Sequence, residues 1–302
     1  MAEAGESTRS GFVGLAGRPN VGKSTLVNQM VGSQVSISSV RPQTTRRAIR
    51  GVLTDPEEGV QIVLVDLPGV QRPRDSLTGR MQRRVERELA DSDVALLVVD
   101  GSEGIGPGDR FIASAMLASN ASIPVICAVN KVDLTGRQVV PVLEQAAALE
   151  GVTEVFPISA LTGEGVEALI EHLGRLMPPG PFLSPPDERT DQPLAIRLAE
   201  LIRAEVLVRT RQEVPHSVEV RVLSVTRPDE DLTEVRAEIW VESESQKGIL
   251  IGKGGRKIGE IGSGARKAIE RELGQKVFLD LEVRHPGRWR RDDELLDRLG
   301  IE

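Results

Sequence analysis

The sequence of 302 residues holds a single cysteine, Cys127, and that scarcity excludes several chemistries at once. One thiol builds no disulfide framework and no cysteine-ligated metal cluster, which fits a reducing compartment. Cys127 sits in the apolar run Ile123–Val129 and reads as core filler. Tyrosine is absent and aromatics make up 2% of the chain, so stacking of bases on exposed rings is not a main device here. No apolar run approaches the roughly 18 residues of a membrane-spanning helix, and Met1–Ser10 lacks the apolar core of a signal peptide. The net charge of −7 argues against coating nucleic acid through the overall field. The three histidines, His172, His216 and His285, read as surface or packing residues.

What the chain does have is glycine at an informative spacing. Gly17, Arg18, Pro19, Asn20, Val21, Gly22, Lys23 and Ser24 spell G-x-x-x-x-G-K-S, with Thr25 next in line. The apolar run Phe12–Ala16 before it suits a buried strand, and Ser24–Met30 after it suits a helix. In that context backbone N–H groups point inward at phosphate oxygens, beside a helix N-terminus. Lys23 would bring a point charge to the β- and γ-phosphates, and the Ser24 hydroxyl would bind Mg²⁺. The loop alone does not name the nucleotide.

Further stretches fall where a nucleotide on that loop would need them. Asp66, Leu67, Pro68 and Gly69, followed by Val70, come after the run Ile62–Val65. An aspartate there can hold Mg²⁺ through water, and the Gly69 N–H can meet the γ-phosphate. Asn130, Lys131, Val132 and Asp133 follow Val129. The Asp133 carboxylate can accept from both the N1–H and the 2-amino group of guanine. Adenine lacks those donors, and a buried carboxylate left unpaired loses roughly 1–3 kcal/mol per missing bond. Ser159, Ala160 and Leu161 end the run Val155–Ile158, where a backbone N–H can reach the guanine O6. The polar stretch Arg41–Arg46 carries Thr45, the candidate that closes on Mg²⁺ beside a γ-phosphate, with Thr44 the alternative. The candidate catalytic residues are thus Lys23, Thr45, Asp66 and Gly69, and the candidate metal ligands Ser24, Thr45 and Asp66.

From Phe12 to Met177, apolar runs alternate with helix-favouring stretches such as Leu77–Ala90, Arg110–Ala118, Val139–Leu149 and Val166–Leu176. That alternation predicts a mostly parallel sheet with helices on both faces, and ligands at the carboxyl ends of its strands. Prolines at 178, 179, 181, 185, 186 and 193 then predict a semi-rigid linker. Beyond it the order is helix (Leu194–Arg211), strands (Val218–Val225, Val235–Val241), a glycine loop after Gly248–Gly252, helix (Arg256–Leu273) and strand (Val277–Val283). The expected boundaries are 9–180, a linker over 181–193, a second domain over 194–290 and a tail over 291–302. Two basic clusters stand out, one from Lys247 to Lys267 and one of Arg284, Arg288, Arg290 and Arg291. A charge run of this kind is ordinarily a solvated face.

On these motifs the chain resembles the Era family of bacterial ribosome-assembly GTPases, a branch of the translation-factor-related GTPases. Gly17–Ser24, Pro42–Arg46, Asp66–Gly69, Asn130–Asp133 and Ser159–Leu161 carry the likeness, which covers nearly the full length. It continues into Ile249–Lys257, which is similar to the G-x-x-G loop of a type II KH domain. Such a loop clamps the backbone of about four single-stranded nucleotides. Here it is Gly252, Lys253, Gly254 and Gly255, with Arg256 and Lys257 adding charge. The resemblance implies an α/β P-loop GTPase domain with a mostly parallel sheet, followed by a smaller α+β type II KH domain. It implies GTP and GDP with Mg²⁺, slow hydrolysis, and the 3′ end of 16S ribosomal RNA in a small-subunit precursor as partner. A cytoplasmic monomer is expected, and peripheral association with the inner face of the cell membrane stays open. Two positions depart from the wider pattern: Leu67 replaces a common threonine, and Val70 stands where Ras-like enzymes carry the glutamine that orients water. The water-orienting group is therefore not legible. A tRNA-modifying GTPase is disfavoured, because that class carries a cysteine near the C-terminus. A pure RNA-binding module, with a nucleotide site that only supports the fold, is the remaining rival.

Overall fold

Uninterrupted apolar runs build the central sheet. The computed structural model describes residues 8–36, 46–69, 74–135, 139–210 and 217–301; Thr44, Thr45, Val70 and His216 lie outside them. Strands β1 (Arg9–Ala16), β2 (Ile49–Asp55), β3 (Val60–Asp66), β4 (Val94–Asp100), β5 (Val125–Asn130) and β6 (Val152–Pro157) form one sheet in the order β2-β3-β1-β4-β5-β6. Only β2 runs antiparallel to its neighbour. Every residue of β3, β4 and β5 is buried, as a sheet covered on both faces requires. The helices covering it are α1 (Lys23–Val31), α2 (Ser76–Ala90), α3 (Pro107–Ser119), α4 (Val139–Ala147) and α5 (Val166–Leu176).

The period of two sorts β4 between two cores. Leu96 and Val98 join Leu26 and Met30 of α1 and Leu169 and Leu173 of α5. Leu97 and Val99 join Val85 and Leu89 of α2, Ile112 and Met116 of α3, and Cys127. Each fully buried leucine among them contributes about 1.5–3 kcal/mol.

The described residues divide into two compact units, one of 8–69 and 81–191, the other of 74–80 and 192–301. The proline-rich segment, expected to be semi-rigid, is strapped for most of its length along the first unit. The Gly180 N–H donates to the Thr8 carbonyl, the Ser10 hydroxyl to the Pro181 carbonyl and the Val52 N–H to the Arg189 carbonyl. Gln61, fully buried on β3, donates to the Ser184 carbonyl at 2.8 Å and accepts from the Leu183 and Ser184 N–H groups. Prolines deny this segment a ladder of its own, so side chains and single backbone bonds hold it instead.

The second unit follows α6 (Leu194–Arg209), β7 (Glu219–Asp229), β8 (Leu232–Trp240), α7 (Glu244–Ile251), α8 (Arg256–Leu273), β9 (Lys276–Arg284) and α9 (Asp293–Arg298). The sheet order is β7-β8-β9, antiparallel then parallel. One face packs Val220, Val235, Ala237 and Ile239 against Leu198, Ile202 and Val206 of α6 and Ile261, Ala265 and Ile269 of α8. Helix α6 stops at Arg209, short of the expected Arg211, because Thr210 is extended (φ −113°, ψ 158°). The expected tail is packed as well: Leu296 is fully buried, as is Trp289 just before the tail, and Asp292 caps α9 through the Leu295 N–H.

Candidate nucleotide site and nucleic-acid loop

The turn from β1 into α1 needs left-handed backbone at two positions, Asn20 (φ 66°) and Gly22 (φ 101°). Asparagine tolerates that region and glycine adopts it without strain. Space is as limiting as conformation. A Cβ at Gly17 would lie 2.3 Å from the Val98 carbonyl oxygen, and one at Gly22 would lie 2.2 Å from Asn130 Nδ2. Helix α1 starts at Lys23 without a side-chain N-cap, which leaves its first turn to serve an anion. The Lys23 ammonium is buried and donates to the carbonyls of Gly17 (3.1 Å) and Arg18 (3.2 Å). Burial lowers its pKa, opposed by the Asp66 charge.

Asp66 ends β3 fully buried, and two hydroxyls converge on its Oδ2: Ser24 Oγ at 2.6 Å and Ser36 Oγ at 2.6 Å. Sequence reasoning misses Ser36, because nothing marks one serine in a polar stretch. Its position is set by Asn28 on α1, whose Oδ1 accepts from the Val35 and Ser36 N–H groups while Nδ2 donates to the Ser36 carbonyl. Hydroxyls and a carboxylate are hard oxygen donors, the set suited to Mg²⁺. Gly69 closes against the phosphate loop: a Cβ there would lie 3.0 Å from Pro19 Cγ. Leu67 and Pro68 behind it are buried.

The other end of the site is tied by Asn130. Its Nδ2 donates to the Val21 carbonyl at 2.7 Å and its Oδ1 accepts from the Ala160 N–H at 2.8 Å, so one side chain joins three loops. Lys131 has left-handed backbone (φ 68°) and reaches Asp100 Oδ2 at 2.5 Å. Burial alone would push the Asp100 carboxyl up. Hydrogen bonds from Lys131 and Ser102 outweigh it and hold the group below its ordinary value. Val132 and Asp133 continue on a 3-10 turn, and the Asp133 carboxylate is exposed, not buried as a base-reading group alone would suggest. Ser159 is fully buried and Leu161 is 77% exposed at the rim.

In the second unit, α7 ends at Ile251 and α8 begins at Arg256, so the glycine loop joins two helices. Gly252 (φ 69°), Gly254 (φ 60°) and Gly255 (φ 77°) are all left-handed. A Cβ at Gly252 would meet Lys257 Cβ at 2.8 Å, whereas Gly254 and Gly255 face open space. Lys253 and Gly254 are exposed, and Arg256 forms an exposed pair with Glu260. The second basic cluster proves less free than its sequence suggested: Arg284 pairs with Glu238 and Glu282, each at 2.9 Å.

Residues 12–131 match the family model of the 50S ribosome-binding GTPases, and residues 213–290 match the KH domain. The chain is 45% identical over 298 residues to the GTPase Era of Mycolicibacterium paratuberculosis, covering 97% of this chain and 99% of that one. It is likewise 45% identical to the GTPase Era of Mycobacterium tuberculosis, covering 97% and 98%. Among solved structures it superposes with a TM-score of 0.93 and 36% identity on Era in complex with MgGDPNP and nucleotides 1506–1542 of 16S ribosomal RNA, covering 97% and 99%. A substituted Aquifex aeolicus Era bound to GDP and AlF4− gives the same score, identity and coverage. With both of its units matched, and relatives this similar across 97% of its length, the chain belongs to the Era family of GTPases.

Proposed function

We propose that this protein is a GTP-binding and GTP-hydrolysing switch that grips the 3′ end of 16S ribosomal RNA through Gly252–Lys257 and acts in assembly of the small ribosomal subunit. The observation that carries the reading is the convergence of Ser24 and Asp66 at one end of a site whose other end, Asn130–Asp133, is tied to the same phosphate loop by Asn130. The relative crystallised with MgGDPNP and the 16S fragment supports both halves.

Each residue has a physical task. The N–H groups of Asn20–Thr25 and the Lys23 ammonium would surround the β- and γ-phosphates. Asp133 would accept from the guanine N1–H and 2-amino group, and Lys131, held by Asp100, would lie against the base. Bound Mg²⁺ would neutralise phosphate charge, held by Ser24 and, through water, by Asp66, with Thr45 the expected addition from outside the described residues. Gly69 would bring its N–H to the γ-phosphate, and Val70 offers no side-chain group to orient water. Pre-aimed charge and dipoles then supply most of the barrier lowering, which fits a slow enzyme. In the other unit, Gly252, Lys253, Gly254 and Gly255 would admit the RNA backbone closely, with Arg256 and Lys257 adding positive charge. We take the protein to work as a cytoplasmic monomer. Any hold on a membrane would be peripheral, since no helix among the described residues is long and apolar enough to cross one.

Steady-state phosphate release from GTP and from ATP, with Mg²⁺, tests the enzyme half. Release from GTP alone is expected, and equal rates with both nucleotides would refute the Asn130–Asp133 assignment. A nucleotide that binds without turnover would favour the RNA-binding rival.

A further inference from the structure

We propose that Arg18 is a positioning residue that clamps the phosphate loop to the first turn of α3 and the loop leading into it from β4, and thereby ties the phosphate end of the site to the base-reading end. The inference rests on the nucleotide-site reading above. Arg18 occupies one of the free positions of G-x-x-x-x-G-K-S, where the motif makes no demand. Its fork is nevertheless committed: Nε lies 2.9 Å from Asp109 Oδ1 and Nη1 lies 3.0 Å from Glu103 Oε2.

The two partners differ in weight. Glu103 is 61% exposed, and such a pair contributes little. The Asp109 carboxylate is fully buried, so Arg18 is the counter-charge it cannot do without. Asp109 is in turn fixed by the helix it begins, since its Oδ2 accepts from the Gly106 N–H at 2.9 Å. The arginine stem crosses Gly108, where a Cβ would lie 2.9 Å from Arg18 Cδ. Within the phosphate loop, the Arg18 carbonyl accepts from Lys23 at 3.2 Å.

The loop so gripped starts at Asp100. The Glu103 and Gly104 N–H groups donate to the Asp100 carbonyl, the Ser102 N–H donates to Asp100 Oδ1, and Asp100 Oδ2 holds Lys131. Lys131 and Arg18 therefore hold the same short loop from opposite ends, one beside the base and the other beside the phosphates. With the clamp in place, the phosphate loop is shaped before the nucleotide arrives. Without it, binding must supply the ordering, and affinity falls by that amount. Lysine could meet Asp109 but could not fork to Glu103 as well.

The test measures release of a fluorescent GDP by stopped flow, together with steady-state GTP hydrolysis. The variants are Arg18→Ala, Arg18→Lys and the double change Arg18→Ala with Asp109→Asn. The single alanine strands a buried charge and can fail to fold. The double change removes that charge while leaving an acceptor for the Gly106 N–H. We expect GDP release about tenfold faster in the double variant, an intermediate rate in Arg18→Lys, and a loss of kcat/KM carried mainly by KM. Parent-like release from the folded double variant would overturn the clamp. So would a loss confined to kcat, which would make Arg18 a catalytic group. A parent protein that holds no GDP would overturn the nucleotide-site reading itself, an outcome distinct from either.

Discussion

In the function proposed above, Asp133 carries the choice of nucleotide, and its exposed position on the 3-10 turn Val132–Leu134 leaves it open to meet a base from solvent. Asp133→Asn places an amide donor against the guanine 2-amino group, two donors facing each other. The same amide can donate to the extra carbonyl of xanthine. We expect the variant to lose GTP affinity and gain affinity for xanthosine triphosphate, measured by competition of each against labelled GDP; unchanged GTP affinity would sink the assignment. Cys127 makes a different prediction. Burial, with a smaller push from the Asp109 charge, raises its thiol pKa from 9.0 to about 12. The folded protein therefore keeps the proton where the unfolded chain gives it up, and stability falls as pH rises from 9.0 toward 12. Asp100 works in the opposite sense, since its folded pKa is depressed below 3.8. Its contribution is present above that value and lost as pH falls through the folded one. An alkylating reagent near neutral pH should leave Cys127 untouched in the folded protein and label it on unfolding. Labelling of the native state at the rate of a free thiol would contradict the burial argument.

Elements whose partners lie within their own pattern were legible in advance. The apolar runs ending at Val65, Val99 and Val129 became buried strands, and G-x-x-x-x-G-K-S fell between a strand and a helix as its glycines demand. What was not legible depends on partners far away in sequence. The strap over 178–191 is one case, since proline density says what a segment cannot form but not what will hold it. The available signal was Gln61, a polar residue inside an otherwise apolar strand, and it is Gln61 that grips the strap. Ser36 and Asp109 are further cases, because each acquires its role only when β3 or the phosphate loop is brought beside it. The strap can be tested directly. Gln61→Leu removes bonds to Leu183 and Ser184 and leaves their backbone groups unsatisfied, at roughly 1–3 kcal/mol. Urea unfolding should show the loss, and limited proteolysis should cut first between 181 and 193. Parent-like resistance to protease would mean the strap is held elsewhere.

Across the whole molecule, a net charge of −7 coexists with a basic loop, so any grip on RNA has to be local. Lys253, Arg256 and Lys257 lie at a helix N-terminus, where the backbone adds its own attraction for phosphate. On the proposed function the two units divide the labour, with nucleotide chemistry at Gly17–Ser24 in the first and RNA at Gly252–Lys257 in the second. The double change Lys253→Asp with Gly254→Asp separates them. Both positions are exposed, and a Cβ at Gly254 meets nothing within 4 Å, so the fold should survive. Aspartate tolerates the left-handed backbone at Gly254 better than most residues, which keeps the strain small. Binding of a single-stranded oligonucleotide copying the 3′ end of 16S RNA, followed across a salt series, is the decisive measurement. Affinity should fall, and the slope of log affinity against log salt should flatten by about 0.7 for each phosphate that the variant no longer neutralises. GTP hydrolysis without RNA should continue at the parent rate, because none of its residues has been touched, while any stimulation by RNA should vanish. A folded double variant that kept the parent affinity and slope would place the RNA grip outside Gly252–Gly255, with Arg288 and Arg291 the next residues to change.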